Sequence, residues 1–296
     1  MKVIFDTDIG DDIDDIWALG LLLSCEEVQL DLITVCFADI KSYKIKVLEE
    51  ILTRFACKTI KIGAGRDLGE GKSNCSAHPF VKNTARKKDY PDAVQAIKEV
   101  LDNSKEHVYI LSVGPATNIA DFSMAYPNYK DKYNVIAMAG AYKKGYLNQD
   151  KPSAEFNVLM DIDSANIAYL NTSYTMLPLD VCRDIIIDDK RYLMLLQKGT
   201  PISKEILKAY CEWQNNYFGD AIKFDIGNSS SILYDIIPVH YLLQPESYTV
   251  INKKVIATHD GRIILNENYG FDIRIATYAD RESALDFAVA KLTVQF

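Results

Sequence analysis

The sequence predicts an α/β protein with an open, mostly parallel, twisted sheet that carries helices on both faces. Short apolar runs typical of buried strands alternate with segments of helical apolar spacing through the first two-thirds of the chain. The alternation has the spacing of βαβ units, which build parallel sheets covered by helices. No linker or shift of composition interrupts the 296 residues, so we expect one domain over residues 1–296.

The elements follow from the positions of these apolar runs. In the first two-thirds, strands are predicted at residues 3–5, 28–36, 59–62, 108–113, 135–139 and 174–179. Helices are predicted between them at 16–23, 40–56, 91–101 and 164–170, and another ends near residue 126. The remainder is predicted to hold helices at 189–198, 203–217, 231–243 and 281–292, and strands at 248–258, 262–265 and 272–276. The long stretch 63–90 is predicted to be a lid or binding loop.

Composition argues against several classes of protein. Hydrophobic residues make up 48% and charged residues 25% of the chain, as in globular proteins with a sizeable core. The net charge is −8 without a basic stripe, which argues against nucleic acid as a partner. The apolar runs are shorter than the ~18 residues that span a bilayer, and no signal-peptide pattern is seen. The six cysteines form no CxxC pair, so we expect reduced thiols, a cytoplasmic location and no membrane attachment.

An acidic turn separates the first strand from the first helix. Its six carboxylates, all within residues 6–15, are Asp6, Asp8, Asp11, Asp12, Asp14 and Asp15. Helix capping explains one or two of them, since an acid near a helix N-terminus stabilises it by about 0.3–1 kcal/mol. The others would repel one another unless a proton or a cation relieved the repulsion. Hard oxygen ligands of this kind suit calcium or magnesium, so the turn is predicted to bind a metal ion.

Other predicted loops converge on this turn. In open parallel sheets, ligands bind beyond the carboxyl ends of the strands. Asp8, Val113, Gly140 and Asp180 all lie at or just past predicted strand ends. The fold prediction therefore brings several loops to the acidic turn.

Four segments resemble, in order and spacing, those of the nucleoside hydrolases, the inosine-uridine-preferring calcium-dependent N-ribohydrolases. Residues 2–19 resemble the family's N-terminal signature, and SVGPATNIA at 112–120 resembles its Gly-Pro-Leu-Thr-Asn-Ile-Ala turn. AEFN at 154–157 matches the family's Ala-Glu-Phe-Asn segment, and Tyr234-Asp235 is similar to part of a His-Asp-Pro segment. The resemblance covers essentially the whole chain. It implies the Rossmann-like nucleoside hydrolase fold and hydrolysis of ribonucleosides to ribose and free base.

The resemblance also implies how a metal ion would be bound and used. Calcium would be held by Asp8, Asp15, the carbonyl of Val113 and Asp235, with Asp6 behind them to orient its neighbours. Asp8 would also be the catalytic base, acting on a calcium-bound water that attacks the anomeric carbon.

Ribose contacts and assembly are further implications of the resemblance. Asp14 and Asn157 would bind the 2′- and 3′-hydroxyls, and Glu155 would lie on the 5′ side. The substrate would be a small-molecule nucleoside, and the protein would form a homodimer or homotetramer.

The acidic turn is two residues longer than is usual in the family. Matching from the following helix places the family's acidic pair at Asp14-Asp15, whereas matching from the strand places Asp12 and Ile13 there. Ile13 cannot bind a metal ion, so the helix register is preferred and Asp12 is kept as an additional ligand or ribose contact. Asp11 is expected to be a solvated loop acid without a role.

Further departures concern the substrate's hydroxyl groups and base. Asp39 replaces an Asn near the ribose, and Gln149 or Asp150 stands where an Asn would contact the 5′-hydroxyl. Tyr234 occupies the place of the His that protonates the leaving base; a phenol still donates a hydrogen bond but is a weaker acid. His78, in the long loop, is expected to contact the base.

Two other functions are compatible with the acidic turn. One is a calcium-dependent nucleoside- or ribose-binding protein with weak or no turnover, which the Tyr234 substitution makes conceivable. The other is a phosphatase with an Asp-x-Asp nucleophile at Asp6-Thr7-Asp8. Gly10 stands where such phosphatases have Thr or Val, and the acids of the turn would repel a phosphate dianion, so this alternative is disfavoured.

Overall fold

The computed structural model describes residues 1–69, 80, 89–147, 149–217 and 228–294. Within these residues, nine strands form one sheet in the order β3-β2-β1-β4-β5-β6-β9-β7-β8. The strands are β1 (Lys2–Thr7), β2 (Gln29–Val35), β3 (Lys61–Ala64), β4 (Val108–Ser112), β5 (Tyr133–Met138), β6 (Tyr174–Leu177), β7 (Tyr248–Ala257), β8 (Ile263–Leu265) and β9 (Phe271–Ala279).

Helices connect most of the strands. In the first two-thirds they are α1 (Asp14–Leu23), α2 (Ile45–Arg54), α3 (Ala93–Asn103), α4 (Thr117–Ala125), α5 (Phe156–Met160) and α6 (Ile162–Asn171). The remainder contains α7 (Leu179–Cys182), α8 (Asp189–Lys198), α9 (Pro201–Tyr217), α10 (Ile236–Leu243) and α11 (Arg281–Leu292). A π-helix, Ile40–Lys44, precedes α2, and 3₁₀ turns occupy Pro127–Tyr129 and Pro245–Ser247.

The strand order places a topological switch point between β1 and β4. From β1 the chain builds outward through β2 and β3 on one side, and through β4, β5 and β6 on the other. All of these pairs are parallel, as is β6 with β9, whereas β7 pairs antiparallel with both β9 and β8. Adjacent crossovers diverge at a switch point and leave a crevice at the carboxyl ends of the strands. The mostly parallel sheet predicted from the sequence is confirmed.

Alternating residues of the central strands pack into different cores on the two faces of the sheet. Val3 and Phe5 belong to one core and Ile4 to the other, because successive side chains of a strand point to opposite faces. In β4, Leu111 joins the first core and Ile110 the second. Helices therefore cover both faces, as predicted. The continuity of the sheet supports a single domain over residues 1–296, which stays a prediction.

Two predicted helices differ from the observed ones. The helix expected at 40–56 opens as a π-helix, in which Lys44 donates its backbone N–H to the carbonyl of Asp39 at 3.2 Å. The helix expected at 231–243 begins only at Ile236. Before it, Ser230 and Leu233 donate backbone N–H groups to the carbonyls of Ile187 and Ile185, both at 2.8 Å, so these donors are used between segments.

The predicted loop at 63–90 falls largely outside the described residues, so its role as a lid is still a prediction. No helix in the described ranges has both the length and the apolar character needed to cross a bilayer.

Candidate active site

A cleft of about 330 Å³ lies at the switch point of the sheet. It gathers side chains from the acidic turn, from the ends of β4 and β5, from the loop before α5 and from the residues before α10. The lining residues are Asp8, Asp11, Asp12, Asp14, Asp15, Val113, Met138, Tyr146, Glu155, Phe156, Asn157, Tyr234 and Asp235. The structure thus brings together nine residues that the sequence analysis assigned to metal or substrate.

Three buried aspartates form the centre of the cleft. Asp14 and Asp15 begin α1, Asp235 directly precedes α10, and a carboxylate oxygen of each lies within 4.8 Å of the others. The helices α1 and α10 pack against each other, which brings their N-termini to one place. A helix N-terminus carries partial positive charge, so both helices favour negative charge here. We call Asp14, Asp15, Asp235 and the neighbouring Asp8 the acidic cluster.

The acidic cluster has the electrostatics of a cation site. Burial, followed by repulsion from neighbouring carboxylates, raises the pKa of Asp14 and of Asp235 well above the ordinary value. Burial also raises the pKa of Asp15 to about 7, although the Thr7 hydroxyl and the Lys44 ammonium act in the opposite direction. Carboxyl groups that lie this close together are unfavourable to ionise, and a hard divalent cation between them stabilises their ionised form. The donor set therefore fits a metal ion, and Asp14, Asp15 and Asp235 could hold it.

Asp8 lines the same cleft, beside the three central aspartates. Its pKa is raised well above the ordinary value, first by burial and then by the charge of Asp15, while Lys44 lowers it. Gly114 packs against it: a Cβ at position 114 would lie 2.9 Å from the backbone nitrogen of Asp8 and 2.7 Å from Sγ of Cys36. The glycine of the Gly-Pro turn therefore allows the end of β4 to approach the acidic turn.

The central three aspartates differ in one member from the ligands implied by the resemblance. Asp14, expected to contact the ribose, lies with Asp15 and Asp235, whereas Asp8 does not belong to that close group in the described part of the chain. The carbonyl of Val113, another expected ligand, accepts a hydrogen bond from Nδ2 of Asn157 at 3.1 Å.

Asp6 lies behind the cleft and joins three elements. Its carboxylate accepts hydrogen bonds from the Thr34 hydroxyl at 2.6 Å and from Nδ2 of Asn118 at 2.7 Å. Thr34 is its neighbour on β2, and Asn118 belongs to α4. Burial raises the pKa of Asp6 to about 6 despite these donors. Asp6 thus ties the end of β1 to the elements beside it.

Glu155 and Asn157 are both held by the backbone. The Glu155 carboxylate accepts N–H groups from Gly140 at 2.7 Å and from Asn157 at 2.8 Å, and it caps α5. Nδ2 of Asn157 also donates to the carbonyl of Met138 at 2.9 Å. These bonds join the ends of β4 and β5 to α5 and fix both side chains at the cleft.

Two tyrosines that line the cleft form an aromatic pair, Tyr146 and Tyr234. Their rings pack edge to face, with centroids 6.2 Å apart and planes at 84°. The Tyr146 hydroxyl accepts the N–H of Phe156 at 3.0 Å and lies 3.4 Å from the Glu155 carboxylate. Burial raises the pKa of both phenols, so both stay protonated at neutral pH and can donate hydrogen bonds.

The remaining expected substrate contacts are placed at or beyond the edge of the cleft. Asp12 is exposed where it lines the cleft, and its carboxylate accepts the N–H of Ile13 at 2.6 Å. Asp39 is buried but does not line the cleft; its N–H donates to the carboxylate of Asp67 at 3.0 Å. Gln149 is exposed and also lies outside the cleft lining. His78 lies outside the described residues.

Lys44 is a residue of the site that was not predicted from the sequence. This lysine is fully buried, donates to the backbone carbonyl of Asp8, and forms an ion pair with Asp11 at 2.7 Å. The expectation that Asp11 is a solvated acid without a role is therefore wrong, since its carboxylate is engaged by a buried cation. The signal was present in the sequence: Lys44 precedes Leu48 and Ile51 by four and seven residues, which places it on their buried helical face.

Thr7 and Tyr146 were also missed. Thr7 donates its hydroxyl to the Asp15 carboxylate and accepts the N–H of Ile9 at 3.0 Å, so it joins β1 to the start of α1. Its position between Asp6 and Asp8 was the available signal. Tyr146 sits in a polar loop after β5, and nothing in its sequence context distinguishes it from an exposed tyrosine.

Comparison with known proteins adds an independent finding. The sequence profile of the family described as inosine-uridine preferring nucleoside hydrolase matches residues 3–286. The chain is 25% identical over 263 residues to a non-specific ribonucleoside hydrolase, RihC, of Salmonella paratyphi B, which covers 84% of this chain and 81% of that one. It is also 30% identical over 184 residues to an uncharacterized protein of Schizosaccharomyces pombe, covering 60% of this chain and 54% of that protein.

A solved structure of a plant nucleoside hydrolase has a similar fold. It superposes with a TM-score of 0.83 at 18% sequence identity and covers 99% of each chain. At this identity the likeness concerns the fold, and it supports the α/β architecture described above.

Proposed function

Because the chain belongs to the inosine-uridine preferring nucleoside hydrolase family, we propose that it hydrolyses the N-glycosidic bond of ribonucleosides, releasing ribose and a free base. The observation that carries the proposal is the acidic cluster, which meets in a cleft large enough for a small molecule. The Salmonella relative, named a non-specific ribonucleoside hydrolase, supports a nucleoside as the substrate.

We propose calcium as the metal ion. Asp15 and Asp235 would hold it, with Asp14, Asp8 and the carbonyl of Val113 as the further oxygen donors that line the cleft. When bound, the cation would orient the ribose hydroxyls and a water molecule and would make that water easier to deprotonate. Thr7 would fix the orientation of Asp15 through the hydrogen bond between them.

Asp8 is the proposed general base. It is buried directly after β1 and lines the cleft, so its carboxylate is placed to accept a proton from a water molecule held there. The acids around it would stabilise the positive charge that develops on the ribosyl ring, because the transition state of glycoside hydrolysis resembles an oxocarbenium ion. Asn157 and Asp14 would bind the 2′- and 3′-hydroxyls, with Glu155 holding α5 in place beside them.

The aromatic pair is proposed to act on the leaving base. None of the lining residues in the described ranges is a histidine, whereas Tyr234 and Tyr146 are protonated phenols at the cleft. Tyr234 would donate a hydrogen bond to the departing base. A phenol of raised pKa is a weak acid, so leaving groups that need no proton should be favoured over purine and pyrimidine bases.

A homodimer or homotetramer is proposed from the family resemblance alone. A cytoplasmic location is proposed from the cysteines, which form no CxxC pair.

Release of ribose tests the proposed function. Purified protein is incubated with inosine, uridine and p-nitrophenyl riboside, each with added calcium chloride and with a chelator. We expect ribose from at least one riboside with calcium and a loss of turnover with chelator. Binding of nucleosides without any ribose release would instead support the calcium-dependent binding protein, and turnover that persists in chelator would contradict the metal site.

A further inference from the structure

Lys44 is a fully buried lysine next to the acidic cluster. Its ammonium donates to the backbone carbonyl of Asp8 and lies 2.7 Å from a carboxylate oxygen of Asp11, and it lies 5.5 Å from the centre of the Phe37 ring. It therefore bonds to the acidic turn at two positions three residues apart. The mechanism proposed above gives it no role.

An unusual backbone brings Lys44 to this place. Lys44 is the last residue of the π-helix, which starts after Asp39 in the left-handed region at φ 56°. Single π-helical turns are rare in proteins, but those that occur are often found at functional sites. Phe37, at φ 77°, also adopts a backbone conformation that is uncommon for residues with a side chain. The chain between β2 and α2 is thus shaped so that a buried cation meets the acidic turn.

Charge explains why a cation is needed there. Asp8, Asp14, Asp15 and Asp235 are all buried within one cleft, and repulsion between them disfavours the folded turn. A buried ammonium is itself costly unless it is paired. Lys44 satisfies its own requirement through Asp8 and Asp11, and it places a positive charge beside the carboxylates at a fixed position.

We propose that Lys44 is a built-in cation that keeps the acidic turn, residues 8–15, folded before a metal ion binds, and so is a positioning residue for the metal ligands. The inference rests on the metal site of the proposed function. Lys44 and the metal ion would then share a task, because both would offset the negative charge of the same carboxylates. Loss of Lys44 should therefore matter most when no metal ion is present.

A thermal-stability cycle tests this. Melting temperatures are measured in chelator and in saturating calcium chloride for the wild-type protein and for Lys44→Met, which keeps much of the side-chain length but lacks the charge. We expect Lys44→Met to lower the melting temperature in chelator by on the order of 5 °C, and by less than half of that amount in calcium. The matched control is Lys61→Met, because Lys61 is exposed and pairs with Glu99 away from the cleft. It should melt within about 1 °C of wild type in both buffers.

A second variant keeps the test decisive if Lys44→Met folds poorly. Lys44→Met/Asp11→Asn removes one carboxylate together with the cation, so it should recover part of the stability lost in chelator. Equal losses in both buffers, or no recovery in the double variant, would overturn the proposal and assign Lys44 to packing alone. Failure of both variants to fold in either buffer would overturn it in the same way.

The outcome separates this inference from the proposed function. A wild-type protein that releases no ribose but shows the expected cycle would leave the role of Lys44 standing and remove only the catalytic proposal. A wild-type melting temperature that calcium does not change would remove the metal site and, with it, the shared task of Lys44.

Discussion

The acidic cluster and the aromatic pair line the same cleft but are held in different ways. The acidic cluster lies at the end of β1 and at the N-termini of α1 and α10, so its positions follow from the strand order and helix packing. Tyr146 of the aromatic pair lies in the loop between β5 and α5, outside any regular element. The framework of the fold thus sets one half of the cleft, and a loop contributes to the other.

Side chains from another part of the chain hold that loop. The Asp180 carboxylate accepts N–H groups from Tyr142 at 2.8 Å and from Lys143 at 2.9 Å. The Arg183 guanidinium donates to the carbonyls of Gly145 at 3.3 Å and Gln149 at 3.1 Å. The position of the acidic cluster is therefore tied to the fold, whereas the position of Tyr146 depends on a few loop contacts outside the sheet.

The acidic cluster should show the largest effect of a single substitution. Asp8→Asn removes the proposed base at nearly constant size, so we expect kcat/KM for p-nitrophenyl riboside to fall by about 10²–10⁴-fold. The matched control is Asp131→Asn, an exposed aspartate far from the cleft in sequence and absent from its lining. Comparable losses in the two variants would contradict the role of Asp8.

The aromatic pair should show a smaller effect that depends on the leaving group. Tyr234→Phe removes the proposed hydrogen bond to the base, and kcat for inosine should fall by about 10- to 100-fold. Turnover of p-nitrophenyl riboside should change little, because nitrophenolate leaves without a proton. Tyr278→Phe is the matched control, since Tyr278 is exposed and does not line the cleft. An equal fall in kcat for both substrates would contradict separate roles for the acidic cluster and the aromatic pair.

The pH dependence of stability probes the acidic cluster without catalysis. The pKa of Asp15 is raised to about 7 and that of Asp6 to about 6, above the ordinary value of 3.8. Between about pH 4 and pH 7 the folded protein therefore binds more protons than the unfolded chain, and this contribution to stability is lost as the pH rises.

Calcium should offset that loss, because cation binding to carboxylates releases their protons. The rise in melting temperature on adding calcium should be larger at pH 7.5 than at pH 5.5, by on the order of a few degrees. Differential scanning calorimetry with calcium and with chelator at both pH values measures it. A calcium effect that is larger at pH 5.5 would reverse the expected sign and argue against carboxylate ligands.

The loop contacts should give the smallest effect. Arg183→Met frees the loop that carries Tyr146, so KM for inosine should rise by roughly 3- to 10-fold, a loss of about 1 kcal/mol of binding. The calcium-induced change in melting temperature should stay as in wild type, because the acidic cluster is untouched. Arg262→Met, at an exposed arginine paired with Asp260, is the control. An altered calcium response in Arg183→Met would show that the two halves of the cleft are coupled.

Much of the fold could be predicted because apolar periodicity reports burial directly. The strands of the sheet were placed close to their observed bounds, and α8 and α11 were predicted at the observed residues. The helix prediction is wrong for residues 231–235: their apolar spacing is helical, but the backbone N–H of Leu233 donates to the carbonyl of Ile185. Hydrogen bonds between segments that are far apart in the sequence cannot be predicted from the local spacing of apolar residues.

The cleft residues that could be predicted from the sequence are mainly carboxylates near the ends of predicted strands and the starts of helices. Asp14 and Asp15 open α1 beside Asp235, while Ile13 is buried in the core and Asp12 is exposed. The ion pair between Lys44 and Asp11 was harder to predict. Lysine is usually exposed, so a lysine on the buried face of a helix is rare. Tyr146 reaches the cleft only through the path of its loop.

The π-helix before α2 sets the register between that helix and the rest of the chain. A π-helical turn accommodates one residue more than an α-helical turn, so deletion of a single residue there would let the segment become regular α-helix. Each α-helical residue turns the chain by about 100°. The deletion would therefore rotate either Lys44 away from the acidic turn or the apolar stripe of α2 away from the core. Insertions and deletions at this point are consequently constrained by two separate surfaces of one helix.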